Sequence, residues 1–148
     1  MEFKGIADVE SPYDGPDDDT IRRNVLYARA ACKHALGLGY APYASHLFFT
    51  QPGILDDEVP AERELGMEAG KAVIRASATT SLFYLDLGMS GGMRWGMEDA
   101  RRHGRAVEEV RLLGTTDGAD GRAWSFAELL ARLRDAGLVT GDYARKGW

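Results

Sequence analysis

One cysteine, three histidines and five prolines are all that the 148 residues hold of those types. Cys32 has no partner for a disulfide within the chain, and there is no cysteine set for a zinc site. Basic charge is also short: 18 Lys and Arg stand against 23 Asp and Glu, a formal net charge of −5. That balance lacks the basic face of a general nucleic-acid binder. A small phosphorylated ligand stays open, because one local pocket suffices for it. No apolar run approaches membrane-spanning length, and the first residues do not read as a signal peptide. The expectation is a cytoplasmic protein that uses no metal or other cofactor and binds neither nucleic-acid polymer nor membrane.

What is present is ordinary globular material. Hydrophobic residues make up 45% of the chain and charged residues 28%, enough for one domain with a real core over residues 1–148. "FKGIADVE" reads as a first strand, followed by the Pro, Gly and Asp of "SPYDGPDDD". A helix over 18–36 follows, with Ile21, Val25, Ala28, Cys32 and Leu36 as its inward stripe. "YAPYASHLFFT" reads as a short second strand and its exit, with His46 in a loop. Pro60 opens a second helix to about residue 76, with Leu65, Ala69, Ala72, Val73 and Ala76 facing inward. "TTSLFYLDLG" is the third strand, and its apolar middle from Leu82 to Leu85 predicts cover on both faces.

Ser90 is the expected N-cap of a third helix, where Met93, Met97 and Ala100 share a face. "RAVEEVRLL" is a fourth strand and "TTDGADGR" a loop. Ser125 and Glu128 stand at capping-box spacing before a last helix over about 125–137. Strand and helix alternate throughout. Such alternation predicts an α/β, flavodoxin-like or Rossmann-like three-layer sandwich with a parallel sheet of four to five strands. Ligands of such sheets bind beyond the carboxyl ends of the strands, so the loops after the first three strands carry the functional expectations.

The first of those loops offers Ser11 to a phosphate or sugar and Tyr13 to a base. The acidic run Asp17 to Asp19 is favourable charge at a helix start. The second loop offers His46, which binds phosphate well when charged. The third, "DLGMSGGM", puts Asp86 at a strand end and then Gly88, Ser90, Gly91, Gly92 and Met93 at the entry to a helix. Free N–H groups and the helix dipole attract anions there. It is neither a Walker loop nor the full dinucleotide fingerprint. On the second helix, Glu62, Arg63, Glu64 and Glu68 crowd two turns. A carboxylate such as Glu64 beside a sugar would suit glycosidic chemistry; a solvated helix face is the simpler reading.

Four stretches in order carry a resemblance: "ESPY", "YARAACKHALGLGYAPYASHLFFTQ", "ERELGMEAG" and "YLDLGMSGGM", followed by "GRAV". Over about residues 4–112 the chain resembles uncharacterised bacterial and phage members of the nucleoside 2-deoxyribosyltransferase-like superfamily. The resemblance implies a flavodoxin-like sheet with a nucleoside or nucleotide at the strand ends. It also implies cleavage or exchange at N-glycosidic bonds by a glutamate on the helix after the "SG" loop. Alignment on Ala100 and "GRAV" puts Gly96 at that glutamate's place. Glu98 is two residues later, roughly 200° around the helix, with Arg94, Arg101 and Arg102 at ion-pair spacing.

Two readings follow. In one, the chain is an N-glycosidic hydrolase or transferase whose chemistry rests on Asp86, Glu98 or Glu64. In the other, it is a binding or sequestering module that has lost the catalytic glutamate. Either way the partner is a small nucleoside or nucleotide. Phe48, Phe49 and Trp95 are candidates for a homodimer contact.

Overall fold

The computed structural model describes residues 2–114 and 119–140. Four strands form one sheet: β1 (Ile6–Glu10), β2 (Ala41–Tyr43), β3 (Ala78–Tyr84) and β4 (Ala106–Val110). Their spatial order is β2-β1-β3-β4, and every pairing is parallel. The helices are α1 (Asp18–Gly37), α2 (Ser45–Phe48), α3 (Pro60–Ser77), α4 (Gly91–Arg102), α5 (Ala119–Arg122) and α6 (Phe126–Asp135). α1 packs on β1, β2 and α6; α3 packs on β3 and α2, and α4 on β3 and β4. This is the flavodoxin-like, Rossmann-like three-layer α/β architecture. Its order reverses between β1 and β3, which opens a crevice at their carboxyl ends. Among the described residues no helix is long and apolar enough to cross a membrane.

The sheet separates two cores because side chains alternate across each strand. Ala7, Val9, Leu82 and Tyr84 point to the α1 and α6 side, where Leu26, Tyr27, Ala31, Leu129 and Leu133 meet them. Phe83 and Leu85 point the other way, to Met93 and Met97 of α4. The expected cover of Leu82–Leu85 on both faces is present: all four are nearly inaccessible. Asp8 and Glu10 share the α4 side of β1 by the same alternation.

Helix starts follow local chemistry. The Asp17 side chain accepts from Thr20 N at 2.8 Å and opens α1. Pro60 occupies the first turn of α3. Ser90 Oγ accepts from Met93 N at 3.2 Å and opens α4. Ser125 and Glu128 exchange hydrogen bonds at 3.2 and 3.3 Å, the reciprocal cap expected from their spacing.

Several expectations need correction. Of the expected α1 stripe, Ala28 is fully buried and Cys32 packs against the core, but Leu36 is exposed, and the buried face runs mainly through Leu26, Tyr27, Ala28, Ala30, Ala31 and Ala35. On α3 the buried residues are Gly70, Lys71 and Ile74, and Leu65 and Val73 face outward. β2 stops at Tyr43, and His46 belongs to the short helix α2 rather than a loop. Part of the expected loop "TTDGADGR" is helical as α5; its residues 115–118, and the segment "DYARKGW", lie outside the described residues.

Candidate functional site

A cavity of about 300 Å³ opens where the strand order reverses. Most of its walls come from four places in the chain. The end of β1 contributes Glu10, Ser11 and Tyr13; α2 contributes Ser45 and His46; α3 contributes Met67 and Lys71; α4 and its cap contribute Ser90, Gly91, Gly92, Met93, Trp95 and Gly96. The volume is at the lower end of small-ligand sites. A larger cleft of about 760 Å³ continues from Tyr13 and Arg63 past Asp56, Asp57, Glu58 and Glu62. Its acidic lining disfavours an anion.

The residues expected to hold a ligand divide into two groups. Ser11, Tyr13, His46, Ser90, Gly91, Gly92 and Met93 all line the cavity. Gly88 does not; it turns the chain after β3 at φ +88° and faces the Arg122 side chain. None of the three expected catalytic carboxylates lines the cavity. Glu64 and Glu98 are exposed on outward faces of α3 and α4. Asp86 is fully buried on the α1 side of the sheet. Its carboxylate accepts from the Tyr27 hydroxyl at 2.6 Å and from the Leu112 and Leu113 amides at 2.7 and 2.9 Å. These bonds tie β3 to α1 and to the exit of β4. The Asp86 carboxylate is therefore a structural clamp.

His46 also departs from expectation. Its Nε2 is 2.9 Å from Ser11 Oγ, and its ring meets Tyr13 edge-on with centroids 6.4 Å apart. Burial lowers its pKa to about 4, so at neutral pH it is uncharged. It acts as a hydrogen-bond partner for the Ser11 hydroxyl, not as a cation for phosphate. Gly70 permits this arrangement: a Cβ there would stand 2.7 Å from Ser45 Cβ, so α3 approaches α2 closely only with glycine.

The cavity floor is charged, and sequence reasoning missed it. Asp99 is nearly inaccessible. It accepts from Arg75 Nη2 at 2.7 Å and Arg105 Nη2 at 2.9 Å, with Lys71 Nζ at 4.0 Å. Burial alone would raise the Asp99 carboxyl, but the hydrogen bonds from Arg75 and Arg105 and the nearby cations outweigh it and hold it at about 2. Lys71 lies over the Trp95 ring, and burial brings its ammonium down to about 8 against the pull of Asp99. Arg105 Nε donates to Ser81 Oγ at 3.2 Å, and Ser81 Oγ donates to Asp8 Oδ2 at 2.9 Å. Arg105 Nη1 is buried without a hydrogen-bond partner among the described residues.

Glu10 completes the floor. Burial raises its carboxyl well above the ordinary value, and the adjoining charge and hydrogen bond of Asp8 raise it further. One signal in the sequence pointed here: Asp8 and Glu10 are acids at alternate positions of a strand covered on both faces, where apolar runs are the rule. Lys71, Asp99 and Arg105 gave no comparable signal, because only the fold brings them together.

The raised Glu10 carboxyl has a measurable consequence. A folded state that binds this proton more tightly than the unfolded chain is favoured below the ordinary glutamate pKa, about 4.3. That advantage is lost as pH rises through the raised value. The titratable groups that act on it are Asp8, Arg105 and Lys71; Ser81 and Asp99 act on Asp8. Melting temperatures across pH 4 to 9, measured against Glu10→Gln, are expected to show wild type losing ground to the variant as pH rises. Parallel curves would contradict the assignment.

Residues 6–110 match a family model described as "Domain of unknown function (DUF7768)". The matched span runs from the first residue of β1 to the last of β4, so it holds the whole sheet and every cavity residue. No curated protein and no solved structure matches the chain. With most of its length covered by that one model, the protein belongs to the DUF7768 family.

Proposed function

We propose that this chain binds a nucleoside or nucleotide in the cavity at the ends of β1 and β3, and that it cleaves or transfers at the N-glycosidic bond. The observation that carries the reading is the convergence in one cavity of Ser11, Tyr13 and His46 with Ser90, Gly91 and Gly92. Tyr13 and Trp95 offer ring faces for a base. Ser11, its hydroxyl paired with a neutral His46, offers hydrogen bonds to a sugar. The first amides of α4 lack intrahelical acceptors and favour an anion such as a 5′-phosphate. The acidic outer cleft leaves that end of the cavity as the place for a phosphate. The resemblance to nucleoside 2-deoxyribosyltransferase-like proteins supports the same ligand class.

The test is a panel of nucleosides, 2′-deoxynucleosides and their 5′-monophosphates, read by thermal shift and by chromatography of released base. At least one member should stabilise the protein and release its base. If none does either, the reading is wrong. Gly92→Asp sharpens the phosphate assignment. Position 92 has open space for a side chain, and an acid in a first turn suits the helix. This variant should bind the monophosphate roughly tenfold more weakly, the scale of one charge interaction near 1.4 kcal/mol, and leave the nucleoside unaffected. Equal losses for both ligands would place the phosphate elsewhere.

A binding module without chemistry has one observation in its favour: Asp86, Glu98 and Glu64 all lie outside the cavity. Stabilisation by a ligand with no base release would select it.

A further inference from the structure

We propose that Glu10, at the carboxyl end of β1, is the proton-donating carboxyl of this cavity, and that Gly96 on α4 is the residue that gives it room. The proposal rests on reading the cavity as a nucleoside site.

Glu10 is the last residue of β1, one of the two strands that flank the switch point, and it precedes Ser11 directly. It lines the cavity and keeps part of its surface open to it. Among the acids that line the cavity, Asp14 is paired with Arg63 at the rim and Asp99 is saturated by arginines. Asp57 belongs to the acidic outer cleft.

Gly96 is the second observation. A Cβ built at this glycine would stand 2.8 Å from Glu10 Oε1, 2.9 Å from Cδ and 3.1 Å from Oε2. Real side chains do not tolerate that approach. The Glu10 carboxyl therefore lies against the backbone of α4, in space that any other residue at position 96 would take. Glycine in a helix interior weakens the helix, and the three atoms nearest to a Cβ at this position all belong to the Glu10 carboxyl. α4 gives up a side chain so that a strand can place its own there.

The third observation is the company Glu10 keeps. Asp8, two residues back on the same face of β1, is the acid that acts most on it; Asp8 also accepts from Ser81 Oγ, which in turn accepts from Arg105. Two acids on one face of a buried strand share one proton more readily than they both ionise. Asp8, with the Ser81 donor and Arg105 behind it, holds the charge; Glu10 holds the proton and presents it to the cavity. A carboxylic acid kept protonated beside the base assists its departure.

The Glu10 proton passes to a ring nitrogen of the base as the C1′–N bond breaks, and the electron pair of that bond goes to the base. A water oxygen bonds to C1′, and the proton it sheds restores Glu10. Nucleoside and water give free base and sugar.

The test is base release from the same panel by wild type, Glu10→Gln and Gly96→Ala, with melting temperatures taken with and without each ligand. Glu10→Gln keeps the shape of the side chain and removes the transferable proton. It should still be stabilised by the ligand while release falls at least about 100-fold. Gly96→Ala, better suited to a helix, should hold its melting temperature and lose release in the same sense, because the new methyl displaces the carboxyl. Release by Glu10→Gln within about threefold of wild type overturns the proposal and leaves the nucleoside reading standing. Unchanged release by Gly96→Ala overturns the role given to Gly96. Stabilisation of wild type without release overturns the proton-donor role alone. Neither stabilisation nor release by any member overturns the nucleoside reading, and the proposal with it.

Discussion

Asp86→Ala should cost the fold roughly 3–5 kcal/mol without touching the ligand site. The carboxylate is wholly inaccessible and, among the described residues, accepts from the Tyr27 hydroxyl and from the backbone amides of Leu112 and Leu113. Alanine leaves both part-buried amides without that acceptor, and each unpaired buried group costs about 1–3 kcal/mol. It also removes the acceptor of the Tyr27 hydroxyl, whose ionisation burial already suppresses. Asp86→Asn keeps one carbonyl oxygen but turns an NH₂ group toward a donor, so about 2 kcal/mol is expected. Urea unfolding measures both losses. Under conditions where the variants remain folded, ligand affinity should equal that of wild type. A variant of normal stability with impaired binding would return Asp86 to the site that its sequence position suggested.

Asp99→Asn is expected to lower stability by about 3–5 kcal/mol, because it strips the counter-charge from buried cations. The Lys71 and Arg105 side chains are only 7% and 6% exposed, and Asp99 lies between them. Arg105 cannot shed its charge. Lys71 can, and in the variant its ammonium should fall below its present value of about 8. The deficit relative to wild type should therefore narrow above pH 8. At the acid end the sign reverses. An Asp held at about 2 contributes stability that is present above the ordinary aspartate pKa, near 3.9, and lost as pH falls through 2. Wild type and Asp99→Asn should converge there. Curves that keep a constant separation from pH 2 to 9 would show that the charge of Asp99 contributes nothing.

Much of this fold could be read from the sequence, because alternation, caps and turn residues agree with one another. The three side-chain caps at Asp17, Ser90 and Ser125 are local, and local chemistry decided them. The inward faces of α1 and α3 were harder. On α1 the face is built largely of alanines, which carry little periodic signal, and polar residues intrude on it for structural reasons. Arg23 holds the Arg122 and Trp124 carbonyls at 2.7 and 3.0 Å, and Asn24 holds the Tyr13 carbonyl at 2.8 Å. On α3 the face belongs to Gly70, Lys71 and Ile74, because close approach to Ser45 and a charge for Asp99 matter more there than apolar area.

The site was legible in part for a similar reason. Glycines and hydroxyls after strands point to a strand-end cavity in any parallel α/β sheet. Which carboxyl faces that cavity is a three-dimensional fact. Asp86 and Glu10 both sit near strand ends, yet they lie on opposite faces of the sheet. Gly96 read as a vacancy in one helix; in the fold a strand residue occupies it.

The most direct test of the nucleoside reading is the fluorescence of Trp95, which lines the cavity and is 38% exposed. Wild type and Trp95→Phe would be titrated with 2′-deoxynucleosides and their 5′-monophosphates. A saturable change with at least one of them, absent in Trp95→Phe while thermal stabilisation by the same ligand persists, is the predicted result. No saturable change with any of them, or a change of equal size in Trp95→Phe, would contradict a nucleoside site between β1 and α4.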